Sequence, residues 1–230
     1  MKLLLFDVDA TLVLTGGAGL RALNRAFQRL YSVDNAMYAI APQGKTDPAI
    51  VREIFHKNMP GHAPEAALIA NILETYLEFL KEEVAHSDSY EVLPGIAEIL
   101  NELSGREGVV LGLATGNIET GARIKLQRGD LNRFFAFGGY GSDAEDRVLL
   151  VRRAVENAYL QHGRMIDGQD TFVIGDTPLD ITAGRSAGCR TVGVATGQYS
   201  AEHLREAGAD FVIANFRDDR DYFLRSTFIE

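Results

Sequence analysis

Three apolar segments of the chain run directly into residues that can do chemistry. LLLF is followed by Asp7 and Asp9, LGLA is followed by Thr115, and FVIG is followed by Asp176, with Asp180 four residues further on. Ligands of open α/β sheets bind beyond the carboxyl ends of the strands, so three such ends could converge on one crevice. These residue types favour phosphoryl transfer to a carboxylate beside a bound divalent cation.

The first acidic pair offers a nucleophile and a proton donor. A carboxylate such as Asp7 can attack phosphorus and form an aspartyl-phosphate, which splits one hard step into two easier ones. A second acid such as Asp9 can protonate the leaving alkoxide and then deprotonate water, and help of this kind contributes roughly 10²- to 10⁴-fold. The alternative interpretation is that Asp7 only ends a strand and Asp9 only caps a turn.

The second acidic pair indicates a metal site. Oxygen ligands suit Mg²⁺, which makes Asp176 and Asp180 candidate ligands. Asp180 could instead, or in addition, be the N-cap of the following helix, but capping does not explain Asp176. Two carboxylates about 4 Å apart repel by roughly 4 kcal/mol at an effective dielectric constant of about 20. If the two pairs converge, a divalent cation would relieve that repulsion.

A phosphate group also needs hydrogen-bond donors and a fixed cation. The segment Thr115-Gly116-Asn117 follows a strand and precedes a helix, where a hydroxyl and backbone N–H groups can bind phosphate or simply cap the helix. The candidate cations are Lys125 and Arg147. We expect Lys125 to lie on a solvated helix face, and Arg147, at the start of a later helix, to be better placed.

Alternating strands and helices must position these residues. The pattern predicts strands at 2–7, 109–114, 171–175, 191–194 and 211–213, a strand-like segment RFFAFGG, and helices at 95–103, 119–127, 145–161, 181–187 and 201–206. Such alternation indicates βαβ units and a parallel sheet. Residues 15–91 show helical spacing and no convincing strand, which indicates an inserted helical unit.

Composition limits the function classes. The chain has 230 residues, 46% of them hydrophobic, and a formal net charge of −9, which argues against sequence-independent nucleic-acid binding. The single cysteine, Cys189, excludes an internal disulfide and favours a reducing compartment. Asp7 interrupts the N-terminal apolar run, and no apolar stretch approaches 18 residues. We therefore expect a cytoplasmic enzyme without a membrane partner.

The segments FDVDATL, LATGN and GDTPLD, together with a basic residue between the last two, resemble in order and spacing the four motifs of the haloacid dehalogenase (HAD) superfamily. The match is similar to its phosphatase branch, with a helical cap inserted after the first motif, as in phosphoglycolate phosphatase-like proteins. The resemblance implies an α/β, Rossmann-like core at 1–14 and 92–230 and an all-helical cap at 15–91. It also implies a Mg²⁺-dependent phosphatase acting on a small phosphorylated metabolite.

The resemblance assigns roles by position. It implies Asp7 as nucleophile and Asp9 as general acid and base. It implies Arg147, or less readily Lys125, as the fixed cation, and the phosphate ligands as Thr115, Gly116 and Asn117. The implied Mg²⁺ ligands are Asp7, the Asp9 carbonyl and Asp176, with Asp180 close by. In the cap loop QGKTDPAI, Lys45 either reaches the leaving group or is merely exposed. His56 and His62 have no spacing typical of a metal site.

The chain departs from the usual motifs at two places. Ala10 occupies a position that is usually glycine, and if the turn needs a positive φ, alanine costs about 1 kcal/mol or more. Arg147-Val148 replaces the usual Lys-Pro, and arginine binds phosphate with a different geometry.

Two other functions remain open. One is a phosphosugar mutase of the β-phosphoglucomutase type, which shares the fold and the motifs. The other is a non-catalytic binding protein in which Ala10 marks lost activity. For the enzyme, the linkers near 15–17 and 91–95 are the predicted hinges of the cap. The sequence does not indicate the substrate or the oligomeric state.

Overall fold

The computed structural model describes residues 1–61 and 64–228, and a parallel β-sheet forms its centre. In chain order, the strands are β1 (Lys2–Phe6), β2 (Val13–Leu14), β3 (Glu91–Val92), β4 (Val109–Thr115), β5 (Gly138–Tyr140), β6 (Thr171–Gly175), β7 (Arg190–Val194) and β8 (Phe211–Ile213). Six of them form the sheet in the order β5-β4-β1-β6-β7-β8, with every neighbouring pair parallel. The predicted α/β, Rossmann-like fold is confirmed.

Helices cover the sheet and form the unit between β2 and β3. They are α1 (Ala18–Tyr31), α2 (Asp47–Asn58), α3 (Ala66–Ala85), α4 (Ile96–Ser104), α5 (Glu119–Gln127), α6 (Arg147–His162), α7 (Pro178–Ser186), α8 (Ala201–Glu206) and α9 (Arg220–Phe228). Across the described residues, no helix has both the length and the apolar character that a membrane crossing requires. His62 lies outside the described residues.

The central strand β1 is buried on both faces. Leu4 and Phe6 pack into the core on one side of the sheet, and Leu3 and Leu5 pack into the core on the other side. Successive side chains of a strand point to opposite faces of the sheet. Because both faces of β1 are covered, all of its side chains from Leu3 to Phe6 are apolar, which gives the continuous run LLLF.

The order of the strands places the polar residues together. The chain passes from β1 to β4 and β5 on one side and then returns to β6 on the other side of β1. This reversal creates a crevice at the carboxyl ends of the central strands. Asp7 follows β1, Thr115 ends β4 and Asp176 follows β6, so all three lie at that edge.

The segment between β2 and β3 folds around its own hydrophobic core. Helices α1, α2 and α3 contribute Phe27, Phe55, Ile72 and Tyr76, all nearly inaccessible to solvent. The short strands β2 and β3 pair antiparallel where the chain enters and leaves this segment. The two linkers at 15–17 and 91–95 are thereby tied to each other beside the crevice. We refer to residues 15–91 as the cap and to the rest as the core.

The interpretation of RFFAFGG as one strand is wrong. A 3₁₀ turn covers Asn132–Phe134, and only Gly138–Tyr140 pairs with β4. Phe135 is buried against Phe6, with ring centroids 5.9 Å apart. Phe135 therefore packs into the core on one face of the sheet, and Phe137 packs partly buried against the core on the other face, rather than forming one strand.

Candidate active site

Three carboxylates meet at the carboxyl edge of the sheet. Asp7, Asp176 and Asp180 each offer an oxygen atom, and these atoms lie within 4.8 Å of one another. All three residues are buried. The convergence of the two acidic pairs, expected from the strand ends, is therefore present for these three side chains.

Burial and mutual repulsion disfavour ionisation of Asp7 and of Asp176. Desolvation, with a further contribution from the charge of Asp180, raises the pKa of Asp7 to about 7. Desolvation by burial, and after it the charge of Asp180, raises the pKa of Asp176 to about 9. A divalent cation would remove the repulsion, and an all-oxygen donor set of this kind suits Mg²⁺. The residues present fit such an ion.

The alternative interpretation of Asp180 as the N-cap residue of the following helix is wrong, because Thr177 is the N-cap of α7 and Asp180 occupies its third helical position. Its carboxylate accepts hydrogen bonds from the backbone N–H and the hydroxyl of Thr177, at 3.1 and 2.7 Å, in a capping box at the start of α7. It also forms an ion pair with Arg147. Capping fixes the carboxylate at the crevice and leaves it beside Asp7 and Asp176.

The carboxylate of Asp9 is not part of this three-residue cluster. Its Oδ2 accepts hydrogen bonds from Lys125 Nζ at 2.6 Å and from Asn117 Nδ2 at 2.8 Å. The side chain is 45% exposed. Asp9 is thus held by a cation and an amide while it remains accessible from the crevice.

The expectation that Lys125 lies on a solvated helix face is wrong. Only 5% of Lys125 is exposed, and Nζ also donates to Asn117 Oδ1 at 2.5 Å. Helix α5 begins at the carboxyl edge of the sheet, and helical side chains point back towards the N-terminus of their helix. The long side chain of Lys125 therefore reaches Asp9 from within the second turn.

Arg147 lies on the other side of Asp7. Its Nη2 pairs with Asp180 and is 3.9 Å from Oδ1 of Asp7, and its Nη1 donates to the carbonyl of Gly44 at 3.1 Å. Its Nε is buried and has no hydrogen-bond partner among the described residues. Both candidate cations therefore flank the crevice, and Arg147 retains an unused donor.

The segment Thr115-Gly116-Asn117 joins the end of β4 to α5. Thr115 is fully buried, and its hydroxyl accepts from the Asn117 side chain at 2.9 Å and from the Asn117 N–H at 3.3 Å. A hydrogen bond from Thr115 also lowers the pKa of Asp7, against the larger effect of burial. A Cβ at Gly116 would overlap the carbonyl of Lys45, so only glycine allows the cap loop to approach this closely.

Ala10 adopts the left-handed conformation, with a φ of 55°, so the turn has the positive φ on which the expected cost of alanine depended. Its N–H donates to Val13 at 2.9 Å, and its carbonyl accepts from the Thr196 hydroxyl at 2.5 Å. These two bonds hold the turn that carries Asp9, and they impose a strain that a glycine would not have.

The crevice opens into a cavity of about 550 Å³ between the core and the cap. Lys45 lines this cavity, and its Nζ pairs with Glu53 at 2.5 Å. The Lys45 side chain is 33% exposed, so it is neither fully solvated nor free of a partner. Its place on the wall is compatible with contact to a leaving group.

Sequence reasoning missed two parts of the site. Asp47 of the cap is buried, and its Oδ2 accepts from the Ile118 N–H at 2.8 Å. Gly197 lies against Asp176, where a Cβ would overlap the carboxylate. A signal for the second part was available in the sequence. The tetrapeptide Ala-Thr-Gly-Gln follows β7, and the similar Ala-Thr-Gly-Asn spans the end of β4 and the two residues after it.

Known proteins share this architecture. A sequence model of the haloacid dehalogenase-like hydrolase family matches residues 4–194. Pyrophosphatase PpaX of Anoxybacillus flavithermus is 26% identical, covering 94% of this chain and 93% of its own, and a phosphoglycolate phosphatase of Agrobacterium fabrum is 27% identical, covering 93% and 88%. The crystal structure of CbbY from Rhodobacter sphaeroides in complex with phosphate has a TM-score of 0.75 at 22% identity, covering 95% and 96%.

The matched segment includes all four acidic residues and both candidate cations. It also spans the cap, so the family relationship covers these site residues as well as the sheet up to β7. The chain belongs to the haloacid dehalogenase-like hydrolase family.

Proposed function

We propose that the protein is a Mg²⁺-dependent phosphatase that hydrolyses the phosphomonoester of a small metabolite through an aspartyl-phosphate on Asp7. The observation that carries this proposal is the buried cluster of Asp7, Asp176 and Asp180 beside Thr115, at the floor of the cavity between the core and the cap. The family relationship and relatives named as phosphatases support the same reaction class.

The metal site would use the clustered carboxylates. Asp7, Asp176 and the backbone carbonyl of Asp9 would hold Mg²⁺, with Asp180 close by. When bound, the cation neutralises the carboxylates and the phosphoryl oxygens and so lowers the repulsion that the anionic substrate meets.

Asp7 and Asp9 divide the covalent chemistry between them. A carboxylate oxygen of Asp7 attacks phosphorus, and the bond from phosphorus to the ester oxygen breaks. Asp9 donates its proton to that oxygen, so the product leaves as a neutral alcohol. Asp9 then takes a proton from water, whose oxygen attacks the phosphoryl group and regenerates the Asp7 carboxylate. Inorganic phosphate is released.

The remaining side chains hold the groups that react. The Thr115 hydroxyl and the backbone N–H groups of Gly116 and Asn117 would bind the phosphoryl oxygens, with Arg147 as the fixed cation. Lys125 holds the carboxylate of Asp9 at 2.6 Å and orients it towards the leaving oxygen. Lys45 would contact the leaving group from the cap, which closes over the substrate and excludes water.

The test is turnover of p-nitrophenyl phosphate with Mg²⁺ and with EDTA. We expect Asp7→Asn and EDTA each to abolish phosphate release, while circular dichroism shows an intact fold. The control is Asp221→Asn, which changes an exposed carboxylate on α9 and should retain full activity. Full activity of Asp7→Asn would contradict the nucleophile assignment.

Measuring phosphate release from other substrates separates the alternatives. A phosphosugar mutase would convert a hexose phosphate to its isomer without releasing free phosphate, whereas a phosphatase would release it. A binding protein would release no phosphate from any ester in a panel of metabolite phosphates with Mg²⁺.

A further inference from the structure

We propose that the cavity selects phosphomonoesters whose alcohol is uncharged and largely apolar, and rejects esters whose leaving group carries a second anion. This inference rests on the proposed phosphatase function and concerns the specificity of the same site. It depends on the wall of the cavity that faces Asp7 and on the partners of the basic residues that line it.

The leaving group must extend towards the cap. The attacking and leaving oxygens lie in line on opposite sides of phosphorus in phosphoryl transfer. Because Asp7 attacks from the sheet edge, the ester oxygen and its alcohol point away from β1 and into the part of the cavity that the cap encloses. The chemistry of the cap wall therefore decides which alcohol fits.

The cap wall is mainly apolar. The apolar and aromatic side chains that line it from α1, α2, α3 and the loop after α1 are Leu20, Leu23, Met37, Pro42, Ile50 and Tyr76. The polar side chains that line it from α2 and the same loop are Gln43, Lys45 and the buried Asp47. Leu14 and Leu20 remain 37% and 44% exposed although they line the cavity. Apolar surface left open at a binding cavity is buried when an apolar ligand enters, and that burial favours such ligands.

Every basic side chain that lines the cavity within the described residues already has an acidic partner. Lys45 pairs with Glu53, Lys125 pairs with Asp9, and Arg147 pairs with Asp180. Arg147 and Lys125 also lie at the phosphate end of the cavity rather than on the cap wall. A carboxylate or second phosphate on the alcohol would lose its hydration without gaining an unpaired cation.

The Lys45–Glu53 pair is one of the polar points of this wall, together with Gln43 and the buried Asp47. A paired ammonium group retains N–H donors, and a paired carboxylate retains acceptor lone pairs, so the two can bind a neutral hydroxyl. The preferred alcohol is therefore apolar over most of its surface, with room for a hydroxyl near Lys45.

Isobutyl phosphate and 2-phosphoglycolate test the inference, because their leaving groups have the same number of heavy atoms and differ in charge. We expect kcat/KM for isobutyl phosphate to exceed that for 2-phosphoglycolate at least about tenfold, by analogy with other apolar pockets. The Asp7→Asn variant, in which affinity is measured by calorimetry without turnover, should show the same order.

A designed cation on the wall provides the matched comparison. Leu20→Arg places a charge on the partly exposed position of α1 and should lower the preference for isobutyl phosphate at least about tenfold, since an introduced charge acts on specificity directly. Leu160→Arg, on a 74% exposed position of α6 that does not line the cavity, should leave the preference unchanged.

The outcomes separate this inference from the proposed function. Hydrolysis of p-nitrophenyl phosphate with equal or better use of 2-phosphoglycolate would overturn the specificity and leave the phosphatase assignment standing. Absence of hydrolysis of every ester would overturn the phosphatase function. Equal affinity of Asp7→Asn for the two esters would overturn the apolar selection by itself.

Discussion

The Asp47 carboxylate in the cap accepts a hydrogen bond from the backbone N–H of Ile118 in the core, with Oδ2 and N 2.8 Å apart. The Asp47 N–H in turn donates to the carbonyl of Gly116 at 2.8 Å. Ile118 is the N-cap residue of α5, and its apolar side chain cannot cap the helix. A residue of the cap therefore satisfies a backbone donor of the core, in the loop that would bind phosphate.

Asp47→Ala tests whether this contact holds the cap against the core. We expect the free energy of unfolding to fall by about 1–2 kcal/mol, because a buried N–H loses its acceptor. We also expect KM for p-nitrophenyl phosphate to rise, because the loop at Gly116 loses its support from the cap. Urea unfolding and steady-state kinetics measure the two effects.

Asp47→Asn is the matched control. Its side-chain oxygen can still accept from Ile118, so most of the stability should return. Burial raises the pKa of Asp47 to about 6, and a neutral amide avoids the desolvation that causes this shift. If the asparagine variant loses as much stability as the alanine variant, the hydrogen bond is not what joins the cap to the core.

The strained turn at Ala10 gives a second prediction. Its φ of 55° costs an L-residue about 1–2 kcal/mol, and glycine removes that strain while adding about 0.4–1 kcal/mol of disorder to the unfolded chain. We expect Ala10→Gly to raise the free energy of unfolding by up to about 1 kcal/mol and to retain activity. Denaturant titration provides the measurement.

The control for Ala10→Gly is a glycine substitution where the backbone is helical. Ala70 is exposed within α3, and Ala70→Gly should lower the free energy of unfolding by about 1 kcal/mol. If both substitutions destabilise the protein equally, the turn at Ala10 does not store strain.

The two buried cations have different expected effects. Arg147→Gln should raise the inhibition constant of inorganic phosphate at least about tenfold, because a cation near Asp7 is lost from the phosphate site. Lys125→Met should lower kcat about 10²-fold through the disordering of Asp9, with a smaller effect on phosphate affinity. Product-inhibition kinetics distinguish the two. The reverse pattern would make Lys125 the cation that contacts phosphate.

Much of the core could be predicted because its signals are local. The runs LLLF, VVLGLA and TFVIG are apolar because β1, β4 and β6 are covered on both faces, so both their positions and their burial are visible in the sequence. Parallel strands share one edge, and this geometry brought Asp7, Thr115 and Asp176 together as expected.

The rest of the site depends on contacts between distant segments. Lys125 is buried because its side chain meets Asp9, a residue 116 positions away. The helical periodicity around Lys125 does not indicate that pairing. The Asp47–Ile118 contact spans 71 positions and requires the cap to close on the core. Neither pairing follows from local propensity. The Lys125–Asp9 pair exists only after distant segments of the core have packed together, and the Asp47–Ile118 contact only after the cap has packed on the core.

The stability of the metal-free protein should fall as the pH rises from about 4 to about 9. The pKa values of Asp7 and Asp176 are raised from the usual 3.8 to about 7 and about 9, first by burial and then by the charge of Asp180. The folded state therefore holds protons that the unfolded state has released, and this stabilisation, complete below pH 4, is lost as the pH passes each raised pKa.

Mg²⁺ should reverse this trend, because the cation requires the carboxylates in their ionised form. We expect the increase in Tm on adding Mg²⁺ to grow from pH 5 to pH 9 and to reach roughly several degrees at pH 9, as a binding energy of a few kcal/mol gives for a chain of this size.

Asp176→Asn removes one ligand and one buried charge, so it should flatten the pH dependence of Tm in EDTA and abolish most of the response to Mg²⁺. Thermal unfolding in matched buffers measures both effects. A cation bound to this cluster must lose affinity when one of its buried carboxylates becomes an amide. If Mg²⁺ raises Tm equally in Asp176→Asn and in the unsubstituted protein, the ion therefore binds elsewhere.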